Sequence, residues 1–187
     1  MVDPAGFLTH HMATHIVAMN VVAPLVILTW RWAARSRPGI ASPRSIMPAA
    51  TIQMALLWAW HLPGPMASAF TTPGGEALMH VSLFAAAMWF WASIINEAEA
   101  ARLRSLIALA FTGKLFCLLG ALLTFAPRAL YARAAEIRFG SPVPAEVLLP
   151  DQQLAGLLML VACPLVYVAA GVFMAARWLH DIEKRAA

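Results

Sequence analysis

Histidine and methionine alternate along FLTHHMATHIVAMN, residues 7–20, and imidazole nitrogen beside thioether sulfur is a donor set for a soft metal cation. On a helix turning about 100° per residue, with His11 at zero, His15 falls near 40°, Met19 near 80° and Met12 near 100°. These four share one face, and His10 points elsewhere. Two further histidines stand in short apolar blocks, His61 in WAWHLP and His80 in ALMHV with Met79 beside it. Asp151 opens the block DQQLAGLLML, which also carries Met159. One helix face cannot close a three- or four-coordinate shell, so a site on this stripe needs ligands from other segments. The candidate metal ligands are therefore His11, Met12, His15, His61, His80 and Asp151. Sulfur and imidazole suit Cu(I), whereas calcium and magnesium need oxygen.

Each of these residues also has a plainer structural use. A single histidine at a membrane interface is amphipathic and needs no ligand role, which covers His61 or His80 taken alone. Asp151 suits first a helix N-terminus, where a carboxylate meets free N–H groups, and then, as a second role, a hydrogen bond to a ligand histidine. Met12, Met19, Met79 and Met159 suit core filling. The pair His11 and His15 resists such a reading: both imidazoles lose water in lipid, and ionisable groups inside a membrane are functional candidates. Lys114 is the other costly residue, near the middle of an apolar run where inserting a lysine costs about 3 kcal/mol.

The elements that must position these groups are membrane helices. Of 187 residues, 61% are hydrophobic and 12% charged, too apolar for a soluble globular protein. The net charge of +4 does not indicate nucleic acid, because the basic residues are scattered through short loops between apolar runs. MVDPAGF has no basic region and no small-residue cleavage pattern follows, so a removable signal peptide is not expected. Cys117 and Cys163 sit singly in apolar runs, which indicates neither a disulfide framework nor a thiolate cluster. A bilayer span takes ~20 mostly apolar residues. Segments 7–30, 46–62, 77–95, 103–125 and 154–179 qualify, so the expected fold is all-α: one polytopic bundle of five transmembrane helices over residues 1–187.

Arg31, Arg35, Arg37, Arg44, Arg102, Arg104, Arg177, Lys184 and Arg185 fall on one side of that bundle, against Arg128, Arg133 and Arg138 on the other. The positive-inside rule then places the N-terminus outside and the C-terminus in the cytoplasm. Trp30, Trp32, Trp89, Trp91 and Trp178 at inner ends, with Trp58 and Trp60 at an outer end, agree with indoles at the headgroup level. All the histidines except His180 lie toward the outer face, on three helices. Pro24 is expected to kink the first helix and free the carbonyl of Asn20. Residues 129–137 read as a short surface helix, and Gly113 with Gly120 as a smooth stripe for close helix packing.

The blocks HHMATH, VVAPLV, WAWHLP, MHVSLFAAAMWFW, GALLTFAPRALY and DQQLAGLLML, in that order over roughly residues 8–175, resemble the CtaG family of multi-span cytochrome c oxidase assembly factors, first associated with caa-type oxidases. The resemblance implies a bacterial inner-membrane protein, in contact with the lipid bilayer, that is needed to make an active haem-copper oxidase. It further implies copper delivery from the periplasmic face, with oxidase subunits as partners. The family's HMxxH motif falls on His11, Met12 and His15, its tryptophan-histidine-proline motif on His61, its helix-opening histidine on His80, and the acid of its DQ motif on Asp151. Relatives usually carry methionine after the second histidine, where this chain has Ile16, and usually have membrane helices before HMxxH. The short form therefore implies a partner, in a homo- or hetero-oligomer, that completes the bundle.

Two other readings stand beside Cu(I) delivery: a b-type membrane cytochrome with haem held by two histidines, and a metal-free scaffold that clamps an oxidase subunit through the Lys114 face. Haem ligands approach iron from opposite sides, which His11 and His15 on one turn do not. Enzymatic activity is not expected, because HHMATH lacks the glutamate of HExxH and no serine or cysteine adjoins a histidine in these motifs. Handing on a cation requires ligand exchange, so direct access from the outer loops is expected.

Overall fold

The computed structural model describes residues 3–33, 45–95 and 102–186. The first rod, Pro4–Ala33, is a continuous helix in four parts: a 3-10 turn (Pro4–Gly6), α1 (Phe7–Val17), a π turn (Ala18–Val22) and α2 (Ala23–Ala33). Asp3 caps its start by accepting from the Ala5 amide at 3.1 Å. Then follow α3 (Ile46–Trp60), α4 (Pro63–Thr71), α5 (Gly75–Ile95), α6 (Arg102–Phe125), α7 (Ala132–Phe139) and α8 (Ala145–Ala186). Among the described residues the fold is all-α, with four helices long and apolar enough to cross a membrane, rather than five. Arg35, Arg37 and Arg44 lie outside the described residues.

The shortfall is α3, whose 15 residues reach only about 22 Å at 1.5 Å per residue, against a hydrocarbon core of ~30 Å. Pro63 explains the stop. The residue before a proline is driven out of the helical region, and Leu62 is extended at φ −69°, ψ 140°, so the chain turns at His61 and restarts as α4 with Pro63 in its first turn. The last helix departs the other way. It begins at Ala145, before the expected start at 154, and runs through Pro150 and Pro164. Asp151 and Gln152 interrupt the apolar pattern there, but both are buried and bonded to neighbouring segments, so the helix absorbs them.

The rods close into a ring: the first against α5, α5 against α3, α3 against α6, α6 against α8, and α8 against α1. The α6–α8 seam is the most extensive. Glycines make it so: a Cβ on Gly120 would stand 2.9 Å from the Gly156 carbonyl oxygen, and one on Gly156 2.7 Å from that of Gly120. The expected stripe therefore packs on α8, with Gly113 facing the Tyr167 Cβ. Lys114 lies on the exposed side of α6.

Tyr167 fills the ring's centre. Its ring stacks on Trp91 (centroids 5.6 Å apart) and on Phe116 (5.5 Å). Its hydroxyl accepts from Gln53 Nε2 at 3.0 Å and donates to Asn20 Oδ1 at 3.1 Å. Trp91 is thus a core residue, 4% exposed, and not the interfacial indole expected of it. Its Nε1–H donates to the Met19 carbonyl at 2.9 Å. The π register pairs the Ala23 amide with the Ala18 carbonyl, so the carbonyl that would meet position 24 is that of Met19. Pro24 has no N–H to offer it, and the indole supplies one. The carbonyl left by Pro24 is therefore Met19's, not Asn20's.

The two ends of the ring differ in charge. At one end lie Leu8, Asp151, His61, Tyr131 and α7; at the other, Arg31 donates to the Ile95 carbonyl and Arg102 pairs with Asp181 at 2.7 Å. The expected surface helix at 129–137 is α7, which ends on left-handed Gly140 (φ 72°).

Candidate metal centre

Helical spacing puts His11 and His15 on the face of α1 that turns into the bundle, and their Nε2 atoms approach to 2.9 Å. From α5, His80 stacks on His15 with centroids 4.6 Å apart and 21° between planes. One ligand atom from each of His11, His15 and His80 lies within 4.8 Å of the others, so the triad could hold a metal ion. With metal–nitrogen bonds of about 2.0–2.1 Å, two nitrogens on one tetrahedral ion sit about 3.3 Å apart, and small rotamer shifts would close the triad on a single cation.

His61 joins from the end of α3, its ring 5.7 Å from that of His15 and 6.4 Å from that of His11. Its Nε2 faces the Met12 Sδ at 3.1 Å. Two backbone carbonyls fix the tautomers. His61 Nδ1 donates to Leu57 O at 2.6 Å and His80 Nδ1 to Glu76 O at 2.7 Å, which leaves each Nε2 as the nitrogen with a lone pair to offer. Met12 is 1% exposed, His15 and His61 each 4%. Five of the six candidate ligands thus meet at one place, on three helices.

Asp151 does not join them. Its Oδ2 accepts from the Leu8 amide at 2.6 Å, and its Oδ1 from the Thr9 amide at 3.1 Å and the Thr9 hydroxyl at 2.6 Å. It is a cap, but for α1 and not for its own helix, and the carboxylate satisfies amides that α1 leaves free one turn before His11. Asp151→Asn keeps one oxygen and loses the charge, so we expect a loss of about 1–3 kcal/mol in stability. Thermal melts of the purified protein, with metal affinity measured alongside, check this: affinity should fall because α1 loses its register.

Sequence reasoning missed the other positioning residues. Gln152 accepts from the Leu130 amide at 2.7 Å and donates to the Leu123 and Arg128 carbonyls, both at 3.3 Å, which fixes the turn after α6. That turn carries Tyr131, whose hydroxyl donates to the His61 carbonyl at 2.7 Å. Burial raises the Tyr131 pKa, so it stays a neutral donor. Tyr131→Phe should cost about 1 kcal/mol and about 10-fold in metal affinity, the lower end for loss of an outer partner; a chelator titration reads it. Position beside Asp151 was the only sequence signal for Gln152, and the quoted block ending in Tyr131 the only one for that tyrosine.

Access differs from expectation. Phe7, Phe70 and Phe139, from α1, α4 and α7, pack together with centroids 5.5 and 5.7 Å apart from the Phe7 ring. Phe70 lies 6.0 Å from the His11 ring. Phe7 and Phe70 thus pack against His11, and with His11, His15 and His61 all buried the loops do not open directly onto them.

A family model for cytochrome c oxidase caa3 assembly factors, Caa3_CtaG, matches residues 5–181. No curated protein and no solved structure matches the chain.

Proposed function

The chain belongs to the family of cytochrome c oxidase caa3 assembly factors, and from that premise we propose that it carries Cu(I) on His11, His15 and His80, with His61 and Met12 completing the site, and delivers it to an oxidase subunit. The observation that carries this reading is the convergence of His11, His15 and His80 within 4.8 Å. Met12 selects among metals: zinc sites draw on cysteine, histidine and carboxylate, whereas a thioether beside imidazoles suits Cu(I). Asp151 supports the site through α1. The membrane is a bacterial inner membrane in this reading, with the histidine end periplasmic, since Arg31, Arg102, Arg104, Arg177 and Lys184 gather at the other end.

The role is that of a carrier and not of an enzyme. Haem fits poorly, because axial ligands stand on opposite faces of a macrocycle, whereas these imidazoles pack directly on one another, His11 and His15 at 4.4 Å between centroids. A scaffold without metal would have no use for buried imidazoles with fixed tautomers. Anaerobic titration of the purified protein with Cu(I), beside metal analysis of protein from copper-replete cells, tests the proposal: one bound equivalent is expected. No bound copper, or a Soret band, overturns it.

A further inference from the structure

The cluster is covered toward the loops but not toward the lipid. A cavity of about 330 Å³ opens between the first rod and α5, and His15 and His80 form part of its wall, with Met19, Ala18, Phe84 and Ala85 around them. The cause lies in the backbone. Below the π turn, α2 packs along α5; above it, α1 touches α5 at only a few residues. The π turn and Pro24 stand where the packing partner changes, and the small side chains of Ala18 and Ala85 line the crevice without filling it. Val81 on its rim is 64% exposed, and Ala85 is exposed as well.

We infer that Cu(I) leaves this protein sideways, within the membrane, to a transmembrane helix of the receiving oxidase subunit that enters the crevice and presents a nitrogen or sulfur side chain to the ion. The inference rests on the delivery reading above and adds the route and the kind of partner. An occupant of this crevice must be apolar over most of its surface, because the walls are, apart from the edges of two imidazoles. It must also carry a donor, because a Cu(I) ion passes between ligand sets by exchange, one new bond forming as one imidazole bond breaks, with no change of oxidation state. An acyl chain meets the first condition only. A soluble acceptor meets the second only, and would have to displace the Phe7, Phe70 and Phe139 cover.

The test fills the crevice without changing a ligand. Ala85→Phe is expected to bind Cu(I) in chelator competition as the unaltered protein does, while cells that rely on it lose oxidase copper and oxidase activity. Normal oxidase assembly with the crevice filled overturns the inference. Failure of the unaltered protein to bind Cu(I) is a separate result, which removes the delivery reading itself. Should Ala85→Phe fail to fold or load, a photo-reactive phenylalanine analogue at Val81, in otherwise unaltered protein, decides the matter. Irradiation in cells making the oxidase should join position 81 to a transmembrane segment of an oxidase subunit, with no such adduct from Phe111 on α6. Adducts only to lipid, or to extramembrane loops, overturn it.

Discussion

Replacing His11 and His15 together with alanine is expected to weaken Cu(I) binding by more than about 100-fold, since loss of an outer partner alone costs 10–100-fold and here two ligands go. The variant should still fold. Both imidazoles are buried, and without metal they bring desolvated nitrogens together at 2.9 Å, an arrangement that stabilises little by itself. Thermal stability separates the two effects. At 100 times its Kd a ligand adds about 2.7 kcal/mol to the folded state, so Cu(I) should raise the Tm of the unaltered protein and leave that of the double variant in place. Oxidase activity in cells carrying the variant should fall to the level of cells lacking the protein. Full activity there would show that these histidines serve packing alone.

Gly156→Ala is expected to do the greatest damage to the fold. The added carbon would lie 2.6 Å from both the Thr124 amide nitrogen and its Oγ1, and 2.7 Å from the Gly120 carbonyl oxygen. Two of these atoms are backbone, so only separation of α6 from α8 relieves the clash. In lipid, that separation removes the van der Waals contact that holds helices together, and overpacking of this kind costs about 1–3 kcal/mol or more. The α6–α8 seam also carries the Gln152 bonds to the turn behind Tyr131, so displacement reaches His61. Gly171 sits in the same helix with nothing within 4 Å of an added carbon, and Gly171→Ala should be neutral or stabilising by up to about 1 kcal/mol. Accumulation in the membrane and resistance to protease should fall for the first variant and hold for the second.

Long apolar runs made most of the helices legible, since their existence depends on composition alone. The period of 3.6 residues likewise placed His11, His15 and Met12 together, and the apolar blocks around His61 and His80 put them at the same level. Other features depend on partners far along the chain. Asp151 meets Leu8, and the apolar pattern does not reveal which helix a carboxylate will cap. Pro24 announced a missing N–H, but whether Met19 or Asn20 lost its bond depended on a π register that Trp91 stabilises from α5. Trp91 was read as an interfacial indole for the same reason: its carbonyl acceptor lies on another helix. The phenylalanine cover comes from three helices and has no local pattern.

The stack of Trp91, Tyr167 and Phe116 has one more consequence. It lies across the bundle's axis with Phe90 against it, each ring at most 4% exposed. Rings from α5, α6 and α8 interlock there, so a shift of any one of these helices must displace the other two.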